Sequence, residues 1–260
     1  MGEHLGGGVV LYEKAVKDVD WELLYSFCEE QLKREHPTHY TEGNDPLTGE
    51  AGYINRNGYF FPFDAVDKMP FHMAYAHKDA PNDVKVILDL FEEARDTALW
   101  EDYLHRFPLA GKCIWWKIKS HILRYPEGSF IGAHSDVSTD YEYAKPHPPN
   151  QIATRTVVST LAYLNDNYEG GDLIFEYLDI EYKPKRGDLL LFPSNYMGAH
   201  RTTTVTKGIR YSHVGWYCHG TPNDKYGESV VDPMLDPERA ERATNVYMTE
   251  KYNIMENNES

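Results

Sequence analysis

The 260-residue sequence is poor in cysteine and in basic residues, and it has no long apolar segment. Its three cysteines, Cys28, Cys113 and Cys218, are an odd number without paired spacing, which predicts reduced thiols and a cytoplasmic location. No stretch approaches the roughly 18 apolar residues that span a bilayer, and the start of the sequence lacks a basic segment followed by an apolar one. We therefore expect neither a membrane partner nor a secretion signal.

Positive charge is also scarce. Only 26 Lys and Arg stand against 41 Asp and Glu, which gives a formal charge of −15. Because proteins bind nucleic acid largely through clustered Lys and Arg, this balance argues against a nucleic-acid partner.

The sequence does contain a helical first third followed by short β-rich segments. Residues 18–36 place apolar side chains along one stripe behind a cap at Asp20, and residues 84–94 repeat the helical spacing. From Ile114 onward, short runs rich in β-branched and aromatic residues alternate with turn residues, as in a sandwich or barrel. We predict one compact domain of mainly β structure with α. Its parts are a helical support region over 1–112, a β core over 113–220, and a tail with a short helix over 221–260.

Two His-x-Asp pairs occur in the sequence, whereas composition alone predicts about one. "HKD" at His77 to Asp79 lies directly before the second predicted helix, and Asp79 is typical of a capped helix start. "HSD" at His134 to Asp136 instead follows an apolar run in the β region. Since residues two apart in a strand point to the same face, His134 and Asp136 can direct both side chains into one cavity.

A metal site at "HSD" needs a third ligand from elsewhere in the chain. The candidates are His147, His200, His213 and His219. His200 is preferred because it lies between two predicted strands, whereas His213 is at odd spacing from Arg210 and should point to the opposite face. Two imidazoles and one carboxylate leave three adjacent positions open on an octahedral ion, which suits ferrous oxygen chemistry, although zinc also binds such a set.

With Arg210, the sequence resembles the prolyl-4-hydroxylase-like 2-oxoglutarate and Fe(II)-dependent oxygenases. Arg210 follows His200 by 10 positions, the spacing of that family. The resemblance covers about residues 115 to 220 and implies a double-stranded β-helix, or jelly-roll, core packed against N-terminal helices. The segments that carry it are "HSD" (134–136), "RTVVSTLAYLN" (155–165), "GGDLIF" (170–175), "RGDLLLFP" (186–193), "AHRTTTVTKGIRY" (199–211) and "GWY" (215–217).

The resemblance implies roles for individual residues and a set of cofactors. His134, Asp136 and His200 match the iron ligands, and Arg210 matches the residue that pairs with the distal carboxylate of 2-oxoglutarate. Tyr163 matches a tyrosine that hydrogen-bonds the same carboxylate, and Tyr125 one that lines the pocket. The implied cofactors are Fe(II), 2-oxoglutarate and O2, with ascorbate as reductant. Because halogenating relatives lack the carboxylate at the Asp136 position, we expect hydroxylation.

The family implies a substrate less directly than it implies the chemistry. Analogy favours an aliphatic C–H bond of a prolyl residue in a peptide or protein, with a free amino acid or another small molecule as the alternative. The long segment 137–153 is a candidate substrate lid, because long loops beside a site often cover it. A different class of function, a catalytically silent jelly-roll binding module, is disfavoured because the ligand set and Arg210 all occur in the family's order.

Overall fold

The structure is a computed structural model of the chain that describes residues 1–35, 40–44, 48–49, 51–55, 60–62, 71–73, 80–114, 116–137 and 155–219. The strands in these ranges are β1 (Glu3–Gly6), β2 (Val9–Tyr12), β3 (Tyr40–Asn44), β4 (Ala51–Asn55), β5 (Phe60–Pro62), β6 (Phe71–Met73), β7 (Trp116–Tyr125), β8 (Ile131–His134), β9 (Arg155–Tyr163), β10 (Glu169–Gly170), β11 (Leu173–Phe175), β12 (Ile180–Tyr182), β13 (Leu189–Pro193), β14 (His200–Thr202), β15 (Val205–Lys207) and β16 (Arg210–His219).

Two longer helices precede the β core. Helix α1 (Trp21–Glu35) begins after Asp20, whose Oδ1 accepts a hydrogen bond from the backbone N–H of Leu23, as the predicted cap requires. Helix α2 (Asn82–Ala98) follows Pro81, which occupies the N-cap position and makes no side-chain capping bond. The sequence indicated Asp79 for that helix start, but Asp79 and the rest of "HKD" lie outside the described residues.

Helix α2 continues into three short helical pieces. These are a π-turn (Leu99–Tyr103), a short α-turn (Leu104–Arg106) and helix α3 (Pro108–Gly111). Apolar side chains of α1 and α2 pack on one face of the large sheet, in a buried cluster that includes Leu24, Phe91 and Tyr217.

The large sheet has the strand order β1-β2-β13-β9-β16-β7-β6 within the described residues. The predicted helical support region over 1–112 also contains β1 and β2, which form a hairpin whose second strand pairs with β13. All four residues of β2 are buried, so this apolar run belongs to the core. The sequence did not indicate these two strands.

A smaller sheet, in the order β12-β11-β14-β8, faces the large one. A second buried cluster fills the space between the two sheets and includes Leu161, Tyr163, Phe175 and Phe192. Two antiparallel sheets closed over such a core, with helices on the outer face of one sheet, form the double-stranded β-helix that the resemblance implied, and the predicted fold class is confirmed.

Other sequence predictions are tested only in part. Cys28, Cys113 and Cys218 are not joined in a disulfide. Within the described ranges, none of the helices is long and apolar enough to cross a membrane. The candidate lid lies outside the described residues except for Val137, as does the predicted helix of the tail.

Candidate active site

Strands β8 and β14 bring two histidines together at one end of the smaller sheet. His134 is the last residue of β8, His200 is the first of β14, and the two residues are direct cross-strand partners. Their ring centroids are 4.5 Å apart. The antiparallel register of two short strands therefore joins residues that are far apart in the sequence.

Asp136 completes this cluster. One ligand atom from each of His134, Asp136 and His200 lies within 4.8 Å of those of the other two, and His134 Nε2 lies 3.4 Å from Asp136 Oδ1. The Asp136 backbone carbonyl accepts a hydrogen bond from the Thr156 hydroxyl, which ties this residue to β9. The three donors predicted from "HSD" and the distal histidine are thus brought together around one point.

Backbone carbonyls orient both imidazole rings. His134 Nδ1 lies 2.9 Å from the Gly132 carbonyl oxygen, and His200 Nδ1 lies 2.9 Å from that of Gly198. Because a carbonyl oxygen only accepts, each Nδ1 carries a proton, and each ring presents Nε2 to the cluster as the atom that binds a metal once it is deprotonated. This arrangement is the usual outer-shell support of metal-binding histidines.

The protonation states also suit a cation. Burial raises the pKa of Asp136, but the hydrogen bond from His134 and the charges of the two imidazoles outweigh it and bring the pKa to about 2. Burial lowers the pKa of His200, while the hydrogen bond to Asp136 raises that of His134. Near neutral pH the cluster therefore holds an ionised carboxylate and, at His200, a neutral imidazole.

A second group of polar residues lies on the barrel side of β16. Arg210 is 1% exposed and pairs across the sheet with Tyr125. Its guanidinium carbon lies 4.6 Å from the ring centroid of Tyr125 and 5.1 Å from that of Tyr163. The structure therefore places the three residues that the resemblance assigned to the cosubstrate in one pocket.

This pocket contains polar atoms without partners. The Nε of Arg210 and the hydroxyl of Tyr163 are buried and make no hydrogen bond within the described part of the chain. The guanidinium makes a long hydrogen bond, 3.4 Å, from NH1 to the Ser212 hydroxyl. No carboxylate among the described residues forms an ion pair with Arg210. A buried, unpaired guanidinium beside an unpartnered hydroxyl is suited to an anionic ligand.

The metal cluster and the Arg210 pocket share the barrel interior. Burial is the main cause of the lowered pKa of His200, and the positive charge of Arg210 adds to it. The rings of Phe175 and Phe192 contact His200 with centroid separations of 5.9 and 4.9 Å.

Other residues named from the sequence lie elsewhere. His213 is buried on the opposite face of β16 from Arg210, with its ring 4.9 Å from that of Phe91 on α2. This matches the expectation from its odd spacing. Trp216 packs at the margin of the core between the sheets, and Arg155 begins β9. His147 lies outside the described residues.

Sequence reasoning did not single out Tyr168, which is also buried beside Arg210. Two glycines follow closely in the sequence, and Gly170 and Gly171 have φ values of 71° and 68°. A side chain at Gly171 would lie 2.9 Å from Arg210 Cδ and 3.1 Å from Tyr168 Cε2. The two glycines next to Tyr168 were the sequence feature that could have indicated a close approach of the backbone to this pocket.

Two imidazoles and a carboxylate on one side of an ion are the donor set of non-haem iron oxygenases, and the residues present fit such a metal. The jelly-roll barrel and this cluster together define a protein of the double-stranded β-helix class with a candidate metal site. The 2OG-Fe(II) oxygenase superfamily matches residues 120–218, a segment that contains the whole cluster and Arg210. Over this segment the chain is similar to that superfamily, and the resemblance to prolyl-4-hydroxylase-like oxygenases is confirmed.

Curated relatives and solved structures are similar to this chain to different extents. A PKHD-type hydroxylase of Rippkaea orientalis is 34% identical over 97 residues, which are 36% of this chain and 39% of that protein. Another, from Xylella fastidiosa strain M12, is 36% identical over 98 residues, which are 36% of this chain and 41% of that protein. The match thus spans about two fifths of each relative's length.

Among solved structures, a viral collagen prolyl hydroxylase from Paramecium Bursaria Chlorella virus-1 is 13% identical, with a TM-score of 0.47, over 81% of this chain and 95% of that one. A prolyl-4-hydroxylase of Pseudomonas putida is 16% identical, with a TM-score of 0.43, over 82% and 92% of the two chains.

Proposed function

We propose that this protein is an Fe(II)- and 2-oxoglutarate-dependent oxygenase that hydroxylates an aliphatic C–H bond. The proposed substrate is a prolyl residue in a peptide or protein. The observation that carries the proposal is the buried Arg210, without a carboxylate partner in the described part of the chain, in the same barrel as a His–Asp–His cluster. A metal site alone would also suit zinc chemistry or simple binding. The unpaired guanidinium adds a site for the far end of a dicarboxylate.

Each residue of the site has its own proposed role. His134 Nε2, His200 Nε2 and the Asp136 carboxylate would hold iron and leave three adjacent positions for other ligands. Arg210 would grip the distal carboxylate of 2-oxoglutarate with two parallel N–H donors, the Tyr163 hydroxyl would donate to the same group, and Tyr125 would line the pocket. When bound, iron with 2-oxoglutarate and O2 supplies the oxidising power, and 2-oxoglutarate leaves as succinate and carbon dioxide.

Burial is uneven around the cluster, and this asymmetry supports a substrate approach from one side. His200 is 5% exposed and is covered by Phe175 and Phe192, whereas the His134 side chain is 38% exposed. The apolar side keeps water from the cosubstrate, and the open side leaves room for a larger substrate. A peptide is the substrate we propose for this side, and a free amino acid or other small molecule is the second candidate.

The direct test is 2-oxoglutarate turnover. Purified protein is incubated with Fe(II), 2-oxoglutarate and O2, with and without ascorbate, and succinate is measured in the presence of proline-containing peptides or free amino acids. We expect succinate release that a peptide stimulates, together with a 16 Da mass increase on that peptide. Stimulation by free amino acids alone would favour the small-molecule alternative.

The silent binding module gives a different result in the same experiment. A protein that binds no iron and releases no succinate under any of these conditions would overturn the oxygenase proposal. The three free thiols support a reducing, cytoplasmic location, which is proposed on that ground.

A further inference from the structure

Tyr168 is a buried residue of the Arg210 pocket to which nothing above gives a role. Its side chain is 7% exposed, and its hydroxyl lies close to the Arg210 guanidinium without a hydrogen bond of normal geometry to any described residue. A buried hydroxyl without a partner costs folding free energy, so such groups are rare unless a ligand or water completes them. Tyr168 therefore resembles Tyr163, whose hydroxyl is also buried without a hydrogen-bond partner among the described residues.

The backbone holds Tyr168 close to Arg210. Tyr168 directly precedes β10, and the chain then turns through Gly170 and Gly171 with positive φ. Because Gly171 has no side chain, its backbone lies against both Arg210 Cδ and the Tyr168 ring. The side chain of Arg210 is thus surrounded by three tyrosines.

One other acceptor lies near this hydroxyl but does not bind it. Asp172 is close enough for its charge to act on Tyr168, yet its Oδ1 is also buried without a hydrogen-bond partner within the described residues. The two groups therefore do not bond to each other. The Tyr168 hydroxyl is left as a donor next to a guanidinium that forms no ion pair with a carboxylate among the described residues.

We propose that the Tyr168 hydroxyl is a third donor to the distal carboxylate of 2-oxoglutarate, beside Arg210 and Tyr163. This inference rests on the proposed function and adds a cosubstrate-binding residue to it. Burial, the first cause, raises the pKa of Tyr168 to about 12, so the phenol stays protonated and keeps its O–H to donate. A carboxylate that accepts from a guanidinium and two phenols has its lone pairs well satisfied.

The test compares two ligands on the anaerobic Fe(II) protein by calorimetric titration. 2-Oxoglutarate carries the distal carboxylate, whereas 2-oxopentanoate has the same chain length and the same chelating end without it. Tyr168→Phe removes only the hydroxyl. Since a hydrogen bond to a charged group is worth more than a neutral one, we expect Tyr168→Phe to weaken 2-oxoglutarate about ten- to a hundredfold. We expect 2-oxopentanoate to bind within about twofold of wild type.

Stability without ligand gives a second readout. Loss of an unpartnered buried hydroxyl should leave the melting temperature of the ligand-free Tyr168→Phe protein unchanged or slightly higher. The matched control is Tyr12→Phe. The Tyr12 hydroxyl donates to the Ala98 carbonyl on the helical side of the sheet, so its loss should lower the melting temperature and leave 2-oxoglutarate affinity unchanged.

The outcomes separate this inference from the function on which it rests. Wild-type protein that fails to bind 2-oxoglutarate overturns the proposed function. If wild type binds and Tyr168→Phe binds equally well, or loses the same affinity for both ligands, only the role of Tyr168 is overturned.

Discussion

Arg210 is the residue whose charge most needs an explanation, because the described part of the chain buries it without a carboxylate. A bound dicarboxylate would supply that partner in a partly desolvated pocket, where a charge-assisted pair is stronger than at the surface. Removing one member of such a pair costs roughly 3–5 kcal/mol. We expect Arg210→Ala to weaken 2-oxoglutarate about a hundredfold to a few thousandfold, and Arg210→Lys to lose less.

The measurement is titration of the anaerobic Fe(II) protein with 2-oxoglutarate, followed by the metal-to-ligand charge-transfer absorption. Iron affinity should hardly change in either variant, which serves as the internal control. Wild-type affinity in Arg210→Ala would mean that this guanidinium is not the anchor.

The two histidines of the cluster give a second prediction at the residue scale. Each places Nε2 toward the site because its Nδ1 is held by a backbone carbonyl. His134→Ala and His200→Ala should abolish turnover and lower Fe(II) affinity at least about tenfold, measured by equilibrium dialysis. Asp79→Ala, from the other His-x-Asp pair, is the control. Loss of iron in that control would place the metal at His77 instead.

The sequence could predict some members of the site and not others, for a geometric reason. Spacing of two in a strand predicted that His134 and Asp136 share a face, and the family's spacing pointed to Arg210. Tyr168 lies in a turn, where no periodic spacing relates it to Arg210. Its position depends on the positive φ values of two glycines, which sequence alone suggests but does not specify.

At the scale of elements, helix α2 and strand β16 pack so closely at one contact that no additional atom fits between them. Arg95 of α2 is fully buried and bonds Glu92 through NH1, and a Cβ on Gly215 would lie 2.3 Å from that nitrogen. Gly215→Ala must displace a buried ion pair, so we expect it to lower the free energy of unfolding by about 1–3 kcal/mol.

Urea denaturation measures this loss. Gly132→Ala is the matched control, because nothing lies within 4 Å of a Cβ built there, and its stability should stay close to wild type. Equal stability of the two variants would show that the contact between α2 and β16 rearranges at a lower cost in free energy than the structure implies.

The type of an element could be predicted where its periodic pattern of apolar residues was long, and the prediction failed where that pattern was short. The α1 start at Asp20 follows from capping chemistry, and the β texture after Ile114 follows from composition. Strand β2 has only four residues, "VVLY". Because every side chain is buried, its sequence shows no alternation of apolar and polar residues. A short apolar run of this kind does not distinguish a strand from a helical segment.

At the scale of the whole molecule, binding of the proposed ligands should stabilise the fold, because an unfolded chain has no preformed site. A ligand at 100 times its dissociation constant adds about 2.7 kcal/mol to the free energy of unfolding. For a chain of this size, that corresponds to a rise in melting temperature of about 5–10 °C. We expect Fe(II) under anaerobic conditions to raise the melting temperature, and 2-oxoglutarate to raise it further.

Arg210→Ala separates the two increments in a thermal-shift experiment. It should keep the increment from metal and lose most of the increment from 2-oxoglutarate. A variant that loses both would indicate that Arg210 supports the fold or the metal cluster, and not the cosubstrate alone.

The N-terminal hairpin has a consequence for how the molecule folds. The Lys14 backbone N–H donates to Asp188, a partner 174 residues later in the chain, and β2 pairs with β13 in the same region. The second strand to be synthesised, β2, must therefore wait for β13 before it has a neighbour other than β1. Closing so long a loop is entropically costly, and topologies rich in distant contacts fold slowly. Until that pairing forms, β13 presents an unpaired apolar edge, so folding intermediates of this protein are exposed to aggregation at that edge of the large sheet.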